Sequence, residues 1–216
     1  MRSEPCGELP DNEPPVPHPH NISRREVLGR LGLAVGASAF PNLALSRAAF
    51  AVQQGGAGTL RAPDTIYLPT PREVVTAMLE MASVGRSDVV YDLGSGDGRI
   101  CIAAVKEFGA RRAVGIELDE ARIQEANGNA RRARVTDRVE FRRQDLFETD
   151  LREATVVALY LSVAINVRLH SKFTQELKPG ARIVSHHFDM GDDWKPVETR
   201  TVSGRMVYLW TLAGTR

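Results

Sequence analysis

Three short stretches contain the residues whose types and spacing could bind a nucleoside ligand. The first, Asp92-Leu-Gly94-Ser-Gly96-Asp97-Gly98, closes an apolar strand and opens a helical segment. Glycine at 94, 96 and 98 permits backbone angles closed to other residues and lets a ligand lie against the main chain. The second is Glu117, in Gly115-Ile-Glu-Leu-Asp119 at the end of the next strand, where a carboxylate can accept both hydroxyls of a ribose. The third is Asp145, in Gln144-Asp-Leu146-Phe147, which offers a carboxylate to an exocyclic amine beside two apolar faces for a purine ring. Three strand ends thus converge on one adenosine. Dinucleotide turns prefer G-x-G-x-x-G around a pyrophosphate. Here the glycines run G-x-G-x-G and an acid, Asp92, stands just before them. That acid would repel a pyrophosphate and suits the cationic amino group of a methionyl tail.

Such stretches need a scaffold that gathers strand ends. Asp88–Leu93, Arg112–Asp119, Val139–Asp145, Thr155–Ser162 and Ala181–Phe188 read as apolar strands, with helices over Arg99–Phe108, Glu120–Arg134 and Val167–Leu177 between them. Near-continuous apolar strands alternating with helices predict an α/β fold with a mostly parallel, doubly wound sheet, whose ligands sit at the carboxyl ends of strands. The tail, 196–202 and 205–212 about Ser203-Gly204, predicts an antiparallel hairpin. In front, 71–84 predicts a helix capped by Thr70, with Pro71 at its first position and Glu73 in its first turn.

The first fifty residues differ in texture. Residues 1–20 are rich in proline and polar residues, and Arg24-Arg25 precedes a mildly apolar run over 31–45 and then Ala49-Phe50-Ala51. This resembles a twin-arginine export signal cleaved after Ala51, too short to remain as a membrane span. The expected organisation is therefore a leader over 1–51, a Gly/Gln-rich linker over 52–64 and a catalytic domain over 65–216. Export would place the chain outside the cytoplasm, with a cytoplasmic location as the alternative. Composition adds exclusions. With 43% hydrophobic and 25% charged residues the chain is neither a disordered polyelectrolyte nor a polytopic membrane protein, and 28 Lys+Arg against 27 Asp+Glu leave no global basic footprint. Cys6 and Cys101 are too few and too distant for a disulfide framework or a zinc site.

The Asp92 loop with Glu117 and Asp145 resembles motif I and the following acidic positions of the class I S-adenosylmethionine-dependent methyltransferases, whose fold is Rossmann-like. Further stretches are similar to a small family within that class: Tyr67-Leu-Pro-Thr-Pro71, Leu159-Tyr160-Leu161-Ser162, the run from Leu177 to Ser185, Trp194-Lys-Pro196 and Val207-Tyr-Leu-Trp210. That family is related to the mitochondrial lysine methyltransferases of the adenine nucleotide translocase and the ATP synthase c subunit. The resemblance implies S-adenosyl-L-methionine as cofactor, bound by Tyr67, Thr70, Asp92, Gly94, Gly96, Gly98, Glu117, Asp145 and Leu146. It implies protein-lysine N-methylation, with a small-molecule acceptor or a noncatalytic binding module as alternatives. It also places the end of the fourth strand at the reacting methyl, so Tyr160 and Ser162 are the candidate catalytic residues. Leu-Tyr-Leu-Ser replaces the Asn/Asp-Pro-Pro-aromatic element of many amino-methylating relatives, which disfavours a nucleobase amine.

Two features stay outside this scheme. His186 and His187 end the fifth strand, where one could reach the site as a base, although a core or surface histidine is the plainer reading. No His or Cys stands at metal-ligand spacing around them, so no metal is expected. Arg131, Arg132, Arg134, Arg138, Arg142 and Arg143 make a basic stretch with little aromatic interleaving, read as a solvated face rather than a nucleic-acid surface.

Overall fold

The structure is a computed structural model that describes residues 67–213. The expected leader and linker lie outside the described residues. Within them the chain runs α1 (Arg72–Met81), β1 (Val89–Leu93), α2 (Arg99–Lys106), β2 (Arg112–Glu117), α3 (Glu120–Ala133), β3 (Val139–Arg143), β4 (Val156–Leu159), α4 (Val163–Glu176), β5 (Arg182–His186), β6 (Glu198–Val202) and β7 (Arg205–Thr211). The seven strands form one sheet in the order β3-β2-β1-β4-β5-β7-β6. The first five are parallel to one another and β7 runs antiparallel to β5 and β6. Strand order reverses between β1 and β4, the switch point where open α/β sheets bind ligands.

Side-chain alternation assigns each strand residue to one of two cores. Val90, Val156, Ala158 and Val184 join the core built with α1 and α2; Tyr91, Leu93, Val157, Leu159 and Ile183 join the core built with α4. The same parity brings Asp92, Tyr160 and His186, at the ends of the neighbouring strands β1, β4 and β5, to the α1 face of the sheet. The central strands β1 and β4 are buried on both faces, which is why they read as apolar runs interrupted only by Asp92, whereas the edge strand β3 is partly exposed.

The termini of two helices depart from expectation. Pro71, not Thr70, occupies the N-cap position of α1, and no side chain caps that end. The Thr70 hydroxyl instead lies 3.2 Å from His186 Nδ1, a partner 116 residues away. Helix α4 begins at Val163, four residues before the expected start, because Ser162 is extended and its Oγ accepts the Ile165 amide at 3.4 Å. The hairpin forms as expected: Ser203 and Gly204 take φ of +48° and +76°, the paired left-handed angles that match strand twist. Deep under the sheet, Arg182 on β5 forms an ion pair with Asp88, whose side chain is 7% exposed. Asp88 also accepts the Thr155 hydroxyl at 2.7 Å and the Gly85 amide at 2.8 Å. This cluster ties β5 to the start of β1 and β4 at the end opposite the switch point.

Candidate functional site

A pocket opens at the carboxyl ends of β1, β2 and β4, bounded by the segment before α1, the glycine loop, the start of α3 and the β3–β4 loop. Its floor is the loop after β1. Gly94, Gly96 and Gly98 all have positive φ, and each is also crowded. A Cβ on Gly96 would fall 2.2 Å from the Tyr67 ring, and one on Gly98 2.3 Å from the Phe141 ring. The loop is therefore glycine-rich because aromatic rings pack against its backbone from both sides. Its amides are consumed internally. Those of Gly94 and Ser95 donate to the Ile116 carbonyl at 2.8 and 3.0 Å, that of Gly98 to Ser95 at 2.9 Å, and that of Gly96 to Glu117 Oε2 at 3.0 Å. A loop so occupied is no cradle for a pyrophosphate, in agreement with the spacing argument.

Asp92 is 2% exposed and lines the pocket. Burial, and then the charges of Glu117 and Asp97, push its carboxyl up to about 8. Among the described residues no cation pairs with it. A buried acid with acidic neighbours and an open side toward a cavity fits a ligand that brings a positive charge, which is the test a methionyl amino group passes and a phosphate fails. Glu117 is held at the rim, Oε1 accepting the Leu118 and Asp119 amides at 2.7 and 3.1 Å. Each carboxylate oxygen keeps acceptor capacity beyond these amides, and Glu117 lines the pocket, where ribose hydroxyls could donate.

The third acid sits differently. Gln144 and Leu146 line the pocket, whereas the Asp145 side chain turns into its own loop and accepts the Phe147 amide at 2.9 Å. Leu146 with Ile116 and Leu118 provides the apolar surface for a purine. Of the other expected residues, Tyr67, Thr70, Gly94 and Tyr160 line the pocket; Gly96 and Gly98 support its floor from behind, and Ser162 is occupied in capping α4.

Several lining residues were not expected. Arg99 grips Asp97 through Nε and Nη2, at 2.9 and 2.7 Å, and donates from Nη1 to the Thr70 carbonyl at 2.8 Å. This fork holds Asp97 below the usual carboxylate range in spite of burial. Arg122, in the first turns of α3, lays its guanidinium 4.1 Å from the Tyr67 ring centroid. Together they fasten segment 67–70 across the glycine loop. The D-x-R spacing of Asp97 and Arg99 was visible in the sequence, but the carbonyl that completes the fork was not.

In the far wall Tyr160 lines the pocket and two further rings back it. The Tyr160 and His186 ring centroids are 3.9 Å apart, and Phe188 stacks on Tyr160 at 6.1 Å. Asn166, buried on α4, donates to the Phe188 and Asp189 carbonyls at 3.1 Å each and so anchors the loop after β5. The basic stretch lies elsewhere. Arg131 and Arg132 lie in the last turn of α3 and Arg134 and Arg138 follow it, at the amino ends of the strands, and Arg142 pairs with Glu140 at 2.7 Å. Among the described residues no cluster of three His, Cys, Asp or Glu could hold a metal ion, and no helix is long and apolar enough to cross a membrane.

Comparison with known proteins agrees with this geometry. The family described as the ANTKMT methyltransferase domain matches residues 92–198. A protein-lysine N-methyltransferase of Saccharolobus islandicus is 46% identical over 154 residues, 69% of this chain and 95% of that protein. The mouse adenine nucleotide translocase lysine N-methyltransferase is 39% identical over 113 residues, 52% of this chain and 48% of that protein. Among solved structures, an RNA methyltransferase from Salinibacter ruber in complex with S-adenosyl-L-homocysteine superposes with a TM-score of 0.67 at 50% identity, covering 69% of this chain and 96% of that one. The chain thus spans nearly the whole of two of these relatives and about half of the mouse protein.

Proposed function

The chain belongs to the family of class I S-adenosylmethionine-dependent methyltransferases that carries the ANTKMT methyltransferase domain, and from that premise we propose that its acceptor is the side-chain amine of a protein lysine. The observation behind this acceptor is the 46% identity to a protein-lysine N-methyltransferase over 95% of that protein's length.

Bound in the pocket, S-adenosylmethionine supplies a methyl group on a cationic sulfur. Asp92 would hold the amino group of its methionyl tail, Glu117 the ribose hydroxyls, and Ile116, Leu118 and Leu146 the purine. Methyl transfer is an in-line displacement whose leaving group takes no proton, so the protein's work is alignment and exclusion of water. Thr70, Tyr160, Leu161 and Ile165 form the wall that does this. A lysine amine has a reference pKa of about 10.4 and must arrive without its proton. Apolar and aromatic surroundings favour the neutral amine over the ammonium ion. His186, which burial brings down to about 4, adds no positive charge to that wall at neutral pH.

The test is transfer of labelled methyl from S-adenosylmethionine into cell extract, followed by protease and ribonuclease digestion and separation by size. Label lost to protease and mapped to lysine by mass spectrometry is expected. Label lost to ribonuclease supports a second reading, RNA methylation, favoured by the 50% identity to the Salinibacter ruber protein. Against that reading stands the basic stretch, in which Arg131, Arg132, Arg134 and Arg138 lie at the opposite end of the sheet from the pocket. Label confined to the low-mass fraction would indicate a small-molecule acceptor.

Export by the twin-arginine route is proposed for the leader on Arg24-Arg25, the apolar run and Ala49-Phe50-Ala51. Sequencing the mature N-terminus after cell fractionation tests it: Val52 outside the membrane supports export, and intact Met1 in the cytosol refutes it.

A further inference from the structure

We propose that His186 is the positioning residue of the acceptor slot, coupling the wall residue Tyr160 to the segment that closes over the glycine loop. The inference rests on the methyltransferase reading and on Tyr160 facing the acceptor, but not on the acceptor being lysine.

Three observations converge on this ring. Its centroid lies 3.9 Å from that of Tyr160. Its Nδ1 is 3.2 Å from the Thr70 hydroxyl, and the Thr70 carbonyl receives Arg99, whose fork grips Asp97 in the glycine loop. The chain of contacts therefore runs without a gap from loop to slot: Asp97, Arg99, Thr70, His186, Tyr160. The third observation is that His186 is 1% exposed and its Nε2 is buried with no partner. An orphaned donor is rarer and costlier in proteins than an orphaned acceptor. We therefore assign the proton to Nδ1, donating to Thr70 Oγ1, which leaves Nε2 a bare lone pair. Burial disfavours a second proton, and so do His187 next in the chain and Arg205 on β7.

The backbone around the ring is built to hold it. His187 takes φ of +68°, a left-handed angle that costs energy in a residue with a Cβ. That turn allows the Phe188 amide to donate to the His186 carbonyl at 2.8 Å and returns the Phe188 ring to stack on Tyr160. Tyr160 is thereby enclosed between His186 and Phe188, while His186 is fixed in rotation by Thr70. A histidine serves here because it is flat enough to stack and polar enough to bond; phenylalanine or asparagine supplies one property only.

The experiment uses the full chain and three substitutions: His186→Phe, which keeps a flat ring and loses Nδ1; His186→Asn, which keeps a polar atom near Nδ1 and loses the ring; and Thr70→Val. Turnover is read as methyl transfer to cell-extract protein, binding as the Kd for S-adenosylhomocysteine, and folding as Tm. Loss of alignment of this kind predicts roughly tenfold lower turnover in His186→Phe and in Thr70→Val. The Kd of His186→Phe should stay within about twofold of the parent, the turnover of the double variant should be no worse than that of either single one, and His186→Asn should fall between. Nitrogen-detected NMR of the imidazole in the parent should report the neutral Nδ1–H tautomer at pH 6 to 8, with the Nδ1 resonance displaced in Thr70→Val. Full turnover in Thr70→Val, losses that simply track Tm, or a ring found charged or in the Nε2–H form would each overturn the proposal. If the parent methylates no protein, the lysine reading fails by itself, and turnover of the variants is read on the extract fraction that takes up label instead.

Discussion

Cys101 Sγ lies 4.0 Å from Asp92 Oδ2, so the buried carboxylate of the glycine loop is offered a thiol, a poor donor, and no cation among the described residues. The same proximity raises the thiol pKa further above its ordinary value than burial alone would. Ionised and without a cation, this carboxyl group is a cost to the fold.

Replacement by a neutral isostere should expose that cost. The carboxyl pKa is about 8 in the fold against an ordinary value near 4, so the folded state holds the proton more tightly than the unfolded one. The stability this confers is complete below the unfolded pKa and is lost as pH rises through 8. Asp92→Asn is therefore expected to match the parent near pH 4.5 and to melt about 10 °C or more higher at pH 8, since four pKa units are worth about 5 kcal/mol and a domain of this size gains about 2–4 °C per kcal/mol. It should also lose S-adenosylmethionine binding by at least about tenfold. Scanning calorimetry across pH reads the first, titration calorimetry the second, and a variant that melts lower at pH 8 contradicts the account.

Cofactor binding should release a proton. Below pH 8 the ligand's amino group must displace the proton from Asp92, so affinity should rise about tenfold per pH unit up to that point. Above it the ligand's own α-amino group, with a reference pKa of about 7.7–8.0, loses its charge and affinity should fall. Titrations at pH 7 in phosphate and in Tris are expected to differ in heat by the difference in buffer ionisation enthalpy. Equal heats would mean that Asp92 is already ionised.

Gly96→Ala tests the fastening of the front segment. Its Cβ would meet the Tyr67 ring at 2.2 Å on a residue with φ of +51°. The ring must leave the loop, Arg122 loses its face, and S-adenosylhomocysteine affinity should drop by roughly tenfold or more. Pairing the change with Tyr67→Ala should relieve the clash without restoring affinity; full affinity in the single variant would show that Tyr67 plays no part in closure.

Arg182→Met supplies the contrast. It leaves Asp88 buried with only a hydroxyl and an amide, at a cost of about 3 kcal/mol, or roughly 6–12 °C in Tm. Because the cluster lies at the amino ends of the strands, the Kd for S-adenosylhomocysteine at 20 °C should be unchanged. A shift in Kd comparable with that of Gly96→Ala would mean that the two ends of the sheet are coupled.

The local features were legible in the residues alone. The glycine loop, Glu117 one strand later and the alternation of apolar strands with helices are near-neighbour properties, set by backbone angles and by side-chain period. So was the hairpin at Ser203-Gly204, where only paired left-handed angles suit the strand twist. From these the parallel sheet and a ligand at its carboxyl edge follow; the methyl donor is what the resemblance of the loop and its acids to the class I methyltransferases implies.

Tertiary structure alone decided what each polar group does with its hydrogen bonds. Thr70 before proline has the sequence signature of a helix cap, and Ser162 that of a strand-end site residue. In the fold Ser162 caps α4 and Thr70 bonds to His186, 116 residues away. Likewise the carbonyl that completes the Arg99 fork and the rings that crowd Gly96 and Gly98 come from distant segments. A hydroxyl or carboxylate has several partners of similar worth within a few residues, so its choice turns on which distant group the packed core brings within about 3 Å. For this chain, the residues marked a ligand site at the strand ends, and the order of strands brought Thr70, Tyr160 and His186 together at its wall.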